Sequence, residues 1–269
     1  MSIKTGFLGL GKMATAMIDG MLRAGLAKPD EICGFDVSPE RSKIFADKGC
    51  LLMKDAAEVV SNSDTIVIAV KPQNFTELFA SLEGRLTSDK LLLSIAAGVP
   101  ISRIKQLVGT ELPVIRVIPN SPLLLGEGMS ALAAEPPVTE EQKQLAEAIF
   151  SACGKTVWIP ESQINPITTV HSSSPAYLYL FAKATAEYAE SVGIDAEEAT
   201  RMFAQTLIGS GRMILESGSD LDTLIAAVRS PGGTTAAALD VFAQKDFCGT
   251  VIAAMNACTD RAEELGRLS

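Results

Sequence analysis

Short apolar runs alternate with helical stretches over the first 160 residues, and this alternation limits the fold more than any other feature. Five runs have the length and the valine, isoleucine and leucine content of strands: "IKTGFLGL", "EICGFDV", "DTIVIAV", "KLLLSIA" and "PVIRVI". They are apolar nearly throughout, which is typical of strands that are covered on both faces of a parallel sheet. Helical patterns over about 12–24, 39–47, 73–82 and 101–108 lie between them. The alternation predicts a doubly wound α/β domain.

Two more strand patterns and two helix-end signals complete the description of this first region. "EGMSALAA" and "TVWIP" predict further strands. Between them, Thr139 and Gln142 have the spacing of a capping box, which predicts a helix start. Gly25 lies where the first helix would end.

The character of the sequence changes after Pro160. From about residue 162 onward the patterns are helical, and several helices are rich in alanine, glycine and serine with little polar face. Helices that are apolar nearly all round must be buried, and about 110 residues cannot bury so many alone. We therefore predict a dinucleotide-binding domain over 1–160 and a helical domain over 161–269 that packs against a partner subunit.

Composition excludes several classes of protein. The formal net charge of −9, without a basic stripe, argues against nucleic-acid binding. No apolar run reaches the roughly 18–20 uncharged residues of a membrane span, and the start carries no signal-peptide pattern. The five scattered cysteines contain no CxxC pair, so we expect buried, reduced thiols. With a single histidine, His171, no metal site is expected. These observations predict a cytoplasmic protein.

A glycine motif follows the first predicted strand. "GFLGLGKMATAM" reads G-x-G-x-x-A at Gly9, Gly11 and Ala14, and it opens a helix within a βαβ unit. Gly9 permits a tight turn, Gly11 lets the backbone approach a pyrophosphate, and Ala14 keeps the helix close to the sheet. The motif predicts a Rossmann domain that binds a dinucleotide, with Lys12 and Met13 among its contacts.

The residues after the second strand give conflicting signals about the cofactor. Asp36 lies 27 residues after Gly9, later than the usual spacing of about 20 for a ribose-binding acid. An acid there favours NAD(H) because it would repel a 2′-phosphate, whereas Ser38 and Arg41 can bind one. We favour NADP(H), partly on the resemblance described below, and keep NAD(H) as the alternative.

Three further strand ends carry unusual sequences. "AVKPQ", "SIAAG" and "RVIPNSP" follow three of the predicted strands. Because ligands bind at the carboxyl ends of parallel strands, we expect these segments to line one cleft. The cofactor contacts predicted there are Ala69, Val70, Lys71, Pro72, Ala96, Ala97, Gly98 and Asn120.

A second distinctive turn, "SPGGTT", lies between two helical patterns near the C-terminus. As chain geometry it only ends one helix and begins another. Two glycines before a helix N-terminus nevertheless leave amide groups available, and the helix dipole favours an anion there without a basic side chain.

The segments "GFLGLGKM", "AVKPQ", "RVIPNSP", "SSSPAY" and "VRSPGGTTAAAL" together resemble the pyrroline-5-carboxylate reductase family, in order and over essentially the whole chain. The resemblance implies hydride transfer from NAD(P)H to the C=N carbon of 1-pyrroline-5-carboxylate, which gives L-proline. It implies an intertwined helical homodimer, often assembled into a decamer, with the turn acting across the dimer interface. It also implies that backbone amides of Gly232, Gly233 and Thr234 hold the substrate carboxylate. Thr235 would lie near the imine nitrogen, and Glu216 matches an acid that the family carries upstream.

The sequence departs from this family at two places. His171 and Ser172 stand where members often have smaller residues, and Lys12 stands where asparagine is common. His171 has the titration range of a general acid. Its place at a helix start makes a local capping or surface role the expected one.

Two other functions fit parts of the sequence. β-Hydroxyacid dehydrogenases share a "GLGxM" loop, but they use a lysine within a "GxxGxGxxxK" pattern whose glycines "HSSSPAYLYLFAK" lacks. A redox sensor that binds NADP(H) without turnover would also carry the glycine motif. Imine reduction by the purified protein distinguishes these alternatives.

Overall fold

The structure is a computed structural model that describes residues 4–268, with side chains described through residue 266. Contacts divide the chain into two compact units. One holds the described residues up to Ser173 together with those from Cys258 onward, and the other is Ser174–Ala257. The end of the last helix thus belongs to the first unit, which the sequence did not indicate. The domain boundary at residues 160 and 161 stays a prediction.

The first unit is built on one eight-stranded sheet in the order β3-β2-β1-β4-β5-β6-β7-β8. Strands β1 to β6 are parallel, β7 is antiparallel to β6, and β8 is parallel to β7. The doubly wound sheet and the two added strands are confirmed. The strands are Thr5–Leu8, Ile32–Phe35, Leu51–Leu52, Thr65–Ile68, Leu91–Ser94, Val114–Ile118, Gly128–Ala134 and Gly154–Trp158.

The order of the sheet reverses at its centre. Strand β1 pairs with β2 on one side and with β4 on the other, with Leu8 opposite Ile68 at the carboxyl ends. This position is the topological switch point, where a crevice opens outside the sheet. The glycine motif follows β1 and "AVKPQ" follows β4, so both segments lie at this edge.

Helices cover both faces of the sheet. Alternate residues of a strand point to opposite faces, so Val67 packs into one apolar core with Met17 and Phe150, while Ile66 packs into the other with Ile104. This double burial explains why the strands are apolar throughout. Besides the end of the last helix, the α-helices of this unit are α1 Lys12–Arg23, α2 Pro39–Ala46, α3 Ala56–Ser61, α4 Phe75–Ser81, α5 Ile101–Val108, α6 Glu140–Ser151 and α7 Ile164–Ile167.

Both helix-end predictions are confirmed. The Gln142 N–H donates to Thr139 Oγ1 at 3.3 Å, and the Thr139 N–H donates to Gln142 Oε1 at 2.9 Å, which is the capping box of α6. Gly25 follows α1 with φ of 67°, a left-handed conformation that favours glycine.

The second unit is helical. Its helices are α8 Ser174–Ser191, α9 Ala196–Glu216, α10 Leu221–Val228, α11 Thr234–Gln244 and the first half of α12, Phe247–Leu268. No strand occurs in the described part of the chain after Trp158, as predicted. No helix within residues 4–268 is long and apolar enough to cross a membrane.

Large apolar side chains cover the outside of this second unit. Tyr179 is 65% exposed, Leu180 is 68% exposed and Leu215 is 84% exposed. Phe181 stacks on Phe203 with ring centroids 5.4 Å apart. Exposed apolar surface of this extent is typical of a protein interface.

The prediction of buried cysteines is wrong for two of the five. Cys33, Cys50 and Cys153 are buried, whereas Cys248 is exposed and Cys258 is partly exposed. Cys248 lies in the first turn of α12. The sequence did not indicate its exposure, because small residues at helical spacing do not show which face of a helix packs against the rest of the protein.

Candidate functional site

The glycine turn after β1 has the geometry that the motif requires. Gly9 has φ of 94°, and its N–H donates to the Phe35 carbonyl at 2.9 Å. A Cβ atom at Gly9 would lie 2.8 Å from the Ala69 carbonyl oxygen, closer than real contacts allow. Both the conformation and the close approach to Ala69, the residue after β4, therefore require glycine.

The start of α1 is open, as an anion-binding helix start must be. Gly11 is its N-cap, no side chain caps the helix, and a Cβ atom at Gly11 would meet nothing within 4 Å. Ala14 is fully buried against the sheet. Lys12 is exposed and Met13 is half-buried. Uncapped amides, the helix dipole and free space fit the pyrophosphate of a dinucleotide.

Asp36 holds the glycine turn from the neighbouring strand. Its Oδ2 accepts the Leu10 N–H at 2.7 Å, and its Oδ1 accepts the Ser38 N–H at 2.8 Å. The Asp36 side chain is 5% exposed, whereas the Arg41 side chain, with Nη1 3.5 Å from Oδ2, is 56% exposed. Both carboxylate oxygens are thus engaged by the backbone, a role that the sequence did not indicate. The contact between Asp36 and a ribose stays a prediction.

The predicted residues after β4 and β5 lie at the carboxyl edge but differ in accessibility. Ala69, Val70 and Pro72 are half-buried, and Lys71 is exposed. Ala96 is buried and Ala97 is exposed.

Gly98, predicted as a cofactor contact, lies beneath the end of α12. It has φ of 81°, and a Cβ atom there would lie 3.0 Å from the Ala262 carbonyl oxygen and 3.2 Å from Leu265 Cβ. Helix packing therefore requires glycine at this position, and the contact between Gly98 and a cofactor stays a prediction.

Asn120 connects two chain segments. Its Oδ1 accepts the Met129 N–H at 2.8 Å, and its Nδ2 donates to the His171 carbonyl oxygen at 3.1 Å. The residue is buried, so its side chain holds the loop after β6 in place. Its predicted cofactor contact has no support from these hydrogen bonds and stays a prediction.

His171 has a wider role than the local one expected from the sequence. It lies in a π-helical turn over Thr168–Ser172. Its Nδ1 is 2.9 Å from the Ile167 carbonyl oxygen, and its Nε2 is 2.8 Å from the carbonyl oxygen of Ile118, 53 residues earlier. The expected local contact is therefore present, and the contact with Ile118 is an additional long-range one that the sequence did not indicate.

The "SPGGTT" segment forms the start of α11 in the second unit. Gly232 has φ of 67°, and the Gly233 N–H donates to the Ser230 carbonyl at 3.0 Å. Gly233 is the N-cap, no side chain caps the helix, and a Cβ atom at Gly233 would clash with Ser230 Oγ. The amides of Thr234 and Thr235 in the first turn have no acceptor within the helix.

A cavity of about 510 Å³ opens beside this turn. Arg229 Nη2 lies 3.4 Å from Asp240 Oδ1 at its wall. Sequence reasoning missed both of these residues, although the arginine directly precedes the turn. The residues that line the cavity are Arg229, Pro231, Gly232, Gly233, Ala236, Ala237 and Asp240.

The structure thus brings some of the predicted substrate residues together and not others. Gly232 and Gly233 border the cavity. Thr234 is exposed and Thr235 is half-buried at the first turn of α11, and neither belongs to its lining. Glu216 is the exposed last residue of α9 and lies outside the lining as well. Their roles stay predictions.

Comparison with known proteins identifies the family. The chain is 34% identical over 268 residues to pyrroline-5-carboxylate reductase of Escherichia coli, a match that covers 99% of this chain and 100% of that protein. The chain belongs to the pyrroline-5-carboxylate reductase family. A family model described as "Pyrroline-5-carboxylate reductase dimerisation" matches residues 161–265. Another, "NADP oxidoreductase coenzyme F420-dependent", matches residues 4–98.

Solved structures of reductases in this family have the same fold. The Coxiella burnetii enzyme superposes with a TM-score of 0.89 at 33% identity, covering 98% of this chain and 99% of that one. The Plasmodium falciparum enzyme, solved with NADP bound, gives a TM-score of 0.90 at 30% identity and 98% coverage of both chains.

Proposed function

We propose that this protein is an NADPH-dependent oxidoreductase that reduces the C=N bond of 1-pyrroline-5-carboxylate to L-proline. One observation carries the proposal beyond family membership. The "SPGGTT" turn presents an uncapped helix N-terminus beside a cavity that an arginine also lines. This arrangement suits a small substrate with one carboxylate.

The substrate carboxylate would bind at the first turn of α11. Amides there donate to an anion, and the helix dipole adds attraction without a formal charge. Arg229 supplies a cation at the same cavity, although Asp240 already pairs with it. Together these groups attract an anionic substrate to a protein whose net charge is −9.

Thr235 is the residue proposed to hold the imine nitrogen. Its hydroxyl both donates and accepts a hydrogen bond, so it can orient the nitrogen while the carboxylate is fixed by the backbone. A hydroxyl is a weak acid, so the proton that the nitrogen needs arrives with the substrate as an iminium ion or through water. Glu216 is proposed as an additional substrate contact, following the family resemblance.

The cofactor would be held by the first unit. The open start of α1 at Gly11 fits the pyrophosphate, and the strand ends at Lys71 and Ala97 border the same edge of the sheet. When bound, NADPH supplies the hydride. The chain itself orients the two reactants and thereby removes much of the entropic barrier.

NADPH is favoured over NADH by the groups that follow β2. The Arg41 guanidinium is largely exposed, and Ser38 precedes it as the N-cap of α2. The Asp36 carboxylate accepts two backbone N–H groups and lies 3.5 Å from Arg41 Nη1, so its negative charge is partly compensated.

The protein is proposed to act as a homodimer through its helical unit, with a decamer as a further assembly. The exposed side chains of Tyr179, Leu180 and Leu215 support this proposal, because a stable monomer would leave a large apolar surface in water. Sedimentation of the purified protein tests it, and a stable monomer at micromolar concentration would contradict it. The proposed location in the cytoplasm follows from the sequence patterns alone.

The proposed reaction is tested by following NADPH oxidation with 1-pyrroline-5-carboxylate. A parallel reaction with 3-hydroxyisobutyrate and NADP⁺ tests the β-hydroxyacid dehydrogenase alternative. We expect turnover only with the imine. Folded protein that binds NADPH but reduces no imine would instead support the sensor alternative.

A further inference from the structure

We propose that His171 is a positioning residue that fixes the loop after β6 through its contact with Ile118. We use "the loop" for residues 118–120, the last residue of β6 and the two that follow it, which lie at the carboxyl edge of the sheet, where ligands of this fold bind. The inference concerns this chain in particular, because members of its family often have a smaller residue where this chain has His171. It rests on the proposed function only in taking this edge as part of the reductase site.

Three long-range hydrogen-bonding contacts join residues 118–120 to residues 171–172, and we call this set the clasp. His171 Nε2 lies 2.8 Å from the Ile118 carbonyl oxygen. The Ser172 hydroxyl donates to the Pro119 carbonyl oxygen at 3.0 Å. Asn120 Nδ2 donates to the His171 carbonyl oxygen at 3.1 Å. Each of residues 118–120 therefore has a hydrogen-bonding partner in the segment formed by residues 171–172.

The clasp extends to the strand that follows the loop. Asn120 Oδ1 accepts the Met129 N–H at 2.8 Å, and Met129 belongs to β7. The side-chain amide of Asn120 thus bridges the His171 carbonyl oxygen and the Met129 N–H. We expect a shift of the backbone at residue 171 to reach β7 through this buried amide group.

The segment that carries His171 is itself attached to β6. The buried Arg116 side chain, 2% exposed, donates from Nη2 to Asn165 Oδ1 at 2.7 Å. Its Nη1 lies 3.5 Å from Glu161 Oε1, and that oxygen also accepts the Ile101 N–H at 2.6 Å. This anchor fixes residues 161–165, so the π-helical turn that follows carries His171 to the end of the same strand.

The two ring contacts of His171 are separable by substitution. A carbonyl oxygen only accepts, so each contact is a hydrogen bond when the facing ring nitrogen carries a hydrogen. The amide nitrogen of glutamine reaches about as far as Nε2, and that of asparagine about as far as Nδ1. His171→Gln thus keeps a donor for Ile118, whereas His171→Asn keeps one only for Ile167.

Amide hydrogen exchange tests the clasp without reference to activity. We expect His171→Ser and His171→Asn to increase exchange at the Met129 amide, which donates to Asn120 Oδ1, by about 5-fold, the effect of one hydrogen bond. We expect His171→Gln to restore exchange to within about 2-fold of the unchanged protein. Thermal unfolding of the three variants confirms that they are folded.

The functional part of the proposal is tested with the same variants. His171→Ser and His171→Asn should lower kcat/KM for the imine by about 5-fold, and His171→Gln should restore it. Equal exchange and equal kcat/KM in the Gln and Asn variants would overturn the proposal, because the Ile118 contact would then have no separate effect. If the unchanged protein reduces no imine, the proposed function fails, while the exchange data still decide whether the clasp exists.

Discussion

The Leu10 N–H donates to Asp36 Oδ2 at 2.7 Å, and this bond ties the glycine turn after β1 to the end of β2. The second oxygen of Asp36 accepts the Ser38 N–H at 2.8 Å. The carboxylate therefore shapes the surface on which a dinucleotide would lie. This arrangement changes what a substitution at Asp36 should do.

Asp36→Ala is expected to weaken NADPH and NADH binding alike, by about 10-fold, because it removes an acceptor from the turn that both cofactors share. It should also destabilise the fold by about 1–3 kcal/mol, since two partly buried amides lose their partner. The measurement is KM for both cofactors together with chemical denaturation. A loss confined to NADH would show instead that Asp36 contacts the ribose.

Arg41→Ala provides the complementary comparison. It should raise KM for NADPH about 10-fold and leave KM for NADH unchanged, because only NADPH carries a 2′-phosphate. Lys43→Ala is the control, since Lys43 is an exposed cation on the same helix that pairs with Asp47.

Substitutions at Gly9 and Gly11 should separate folding from cofactor binding. Gly11→Ala should leave the melting temperature nearly unchanged, because a Cβ atom there meets nothing within 4 Å. It should weaken NADPH binding about 10-fold or more, because the methyl group enters the space left for the pyrophosphate.

Gly9→Ala should destabilise the fold by about 2 kcal/mol or more, since φ is 94° and an added Cβ atom would lie 2.8 Å from the Ala69 carbonyl oxygen. Gly209→Ala, inside α9 of the second unit, is the control for NADPH binding only, because alanine favours a helix interior and should raise the melting temperature. If Gly11→Ala binds NADPH as tightly as the unchanged protein does, the pyrophosphate does not bind at the turn that contains Gly11.

Thr235→Ala should lower kcat/KM for the imine about 10-fold with little change in NADPH affinity, because the hydroxyl is proposed to contact the substrate alone. Thr234→Ala is the matched control, since its neighbouring hydroxyl is exposed and only its backbone amide is assigned a role. Equal effects of the two substitutions would contradict the role of Thr235.

Cysteine alkylation tests whether three of the thiols are buried in the native protein. Burial raises the pKa of the Cys33, Cys50 and Cys153 thiols, so less reactive thiolate is present at a given pH. We expect iodoacetamide to spare these three in the native protein and to modify them after unfolding, with the exposed Cys248 as internal reference. Stability from keeping these thiols neutral is fully present below the ordinary thiol pKa and is lost as pH rises through the raised folded-state values. Rapid native alkylation of Cys153 would contradict this burial.

Much of the fold was predictable because burial on both sheet faces leaves a continuous apolar pattern in each strand. Strand β3 was missed because it is only two residues long and both of its leucines are exposed. The six-residue helix α3 was missed as well, since so short a segment shows little periodicity. Helical spacing also does not show where a helix packs, so the contact between the end of α12 and Gly98 could not be predicted.

The candidate site was predictable where the backbone conformation needs a particular residue. Gly9 and Gly232 adopt positive φ angles that favour glycine, so the sequence marked both turns. The contacts of Asp36, Asn120 and His171 depend on which segments meet in space, and short-range patterns carry no such information. The pairing of Arg229 with Asp240 joins the end of α10 to α11, so short-range patterns could not predict it either.

The most direct test of the account compares 1-pyrroline-5-carboxylate with 1-pyrroline, which has the same imine and no carboxylate. If amides at the start of α11 hold the carboxylate, kcat/KM for 1-pyrroline should be lower by a factor of about 100 or more, because charge-assisted hydrogen bonds are lost. Equal kcat/KM values for the two imines would contradict this account of the "SPGGTT" turn.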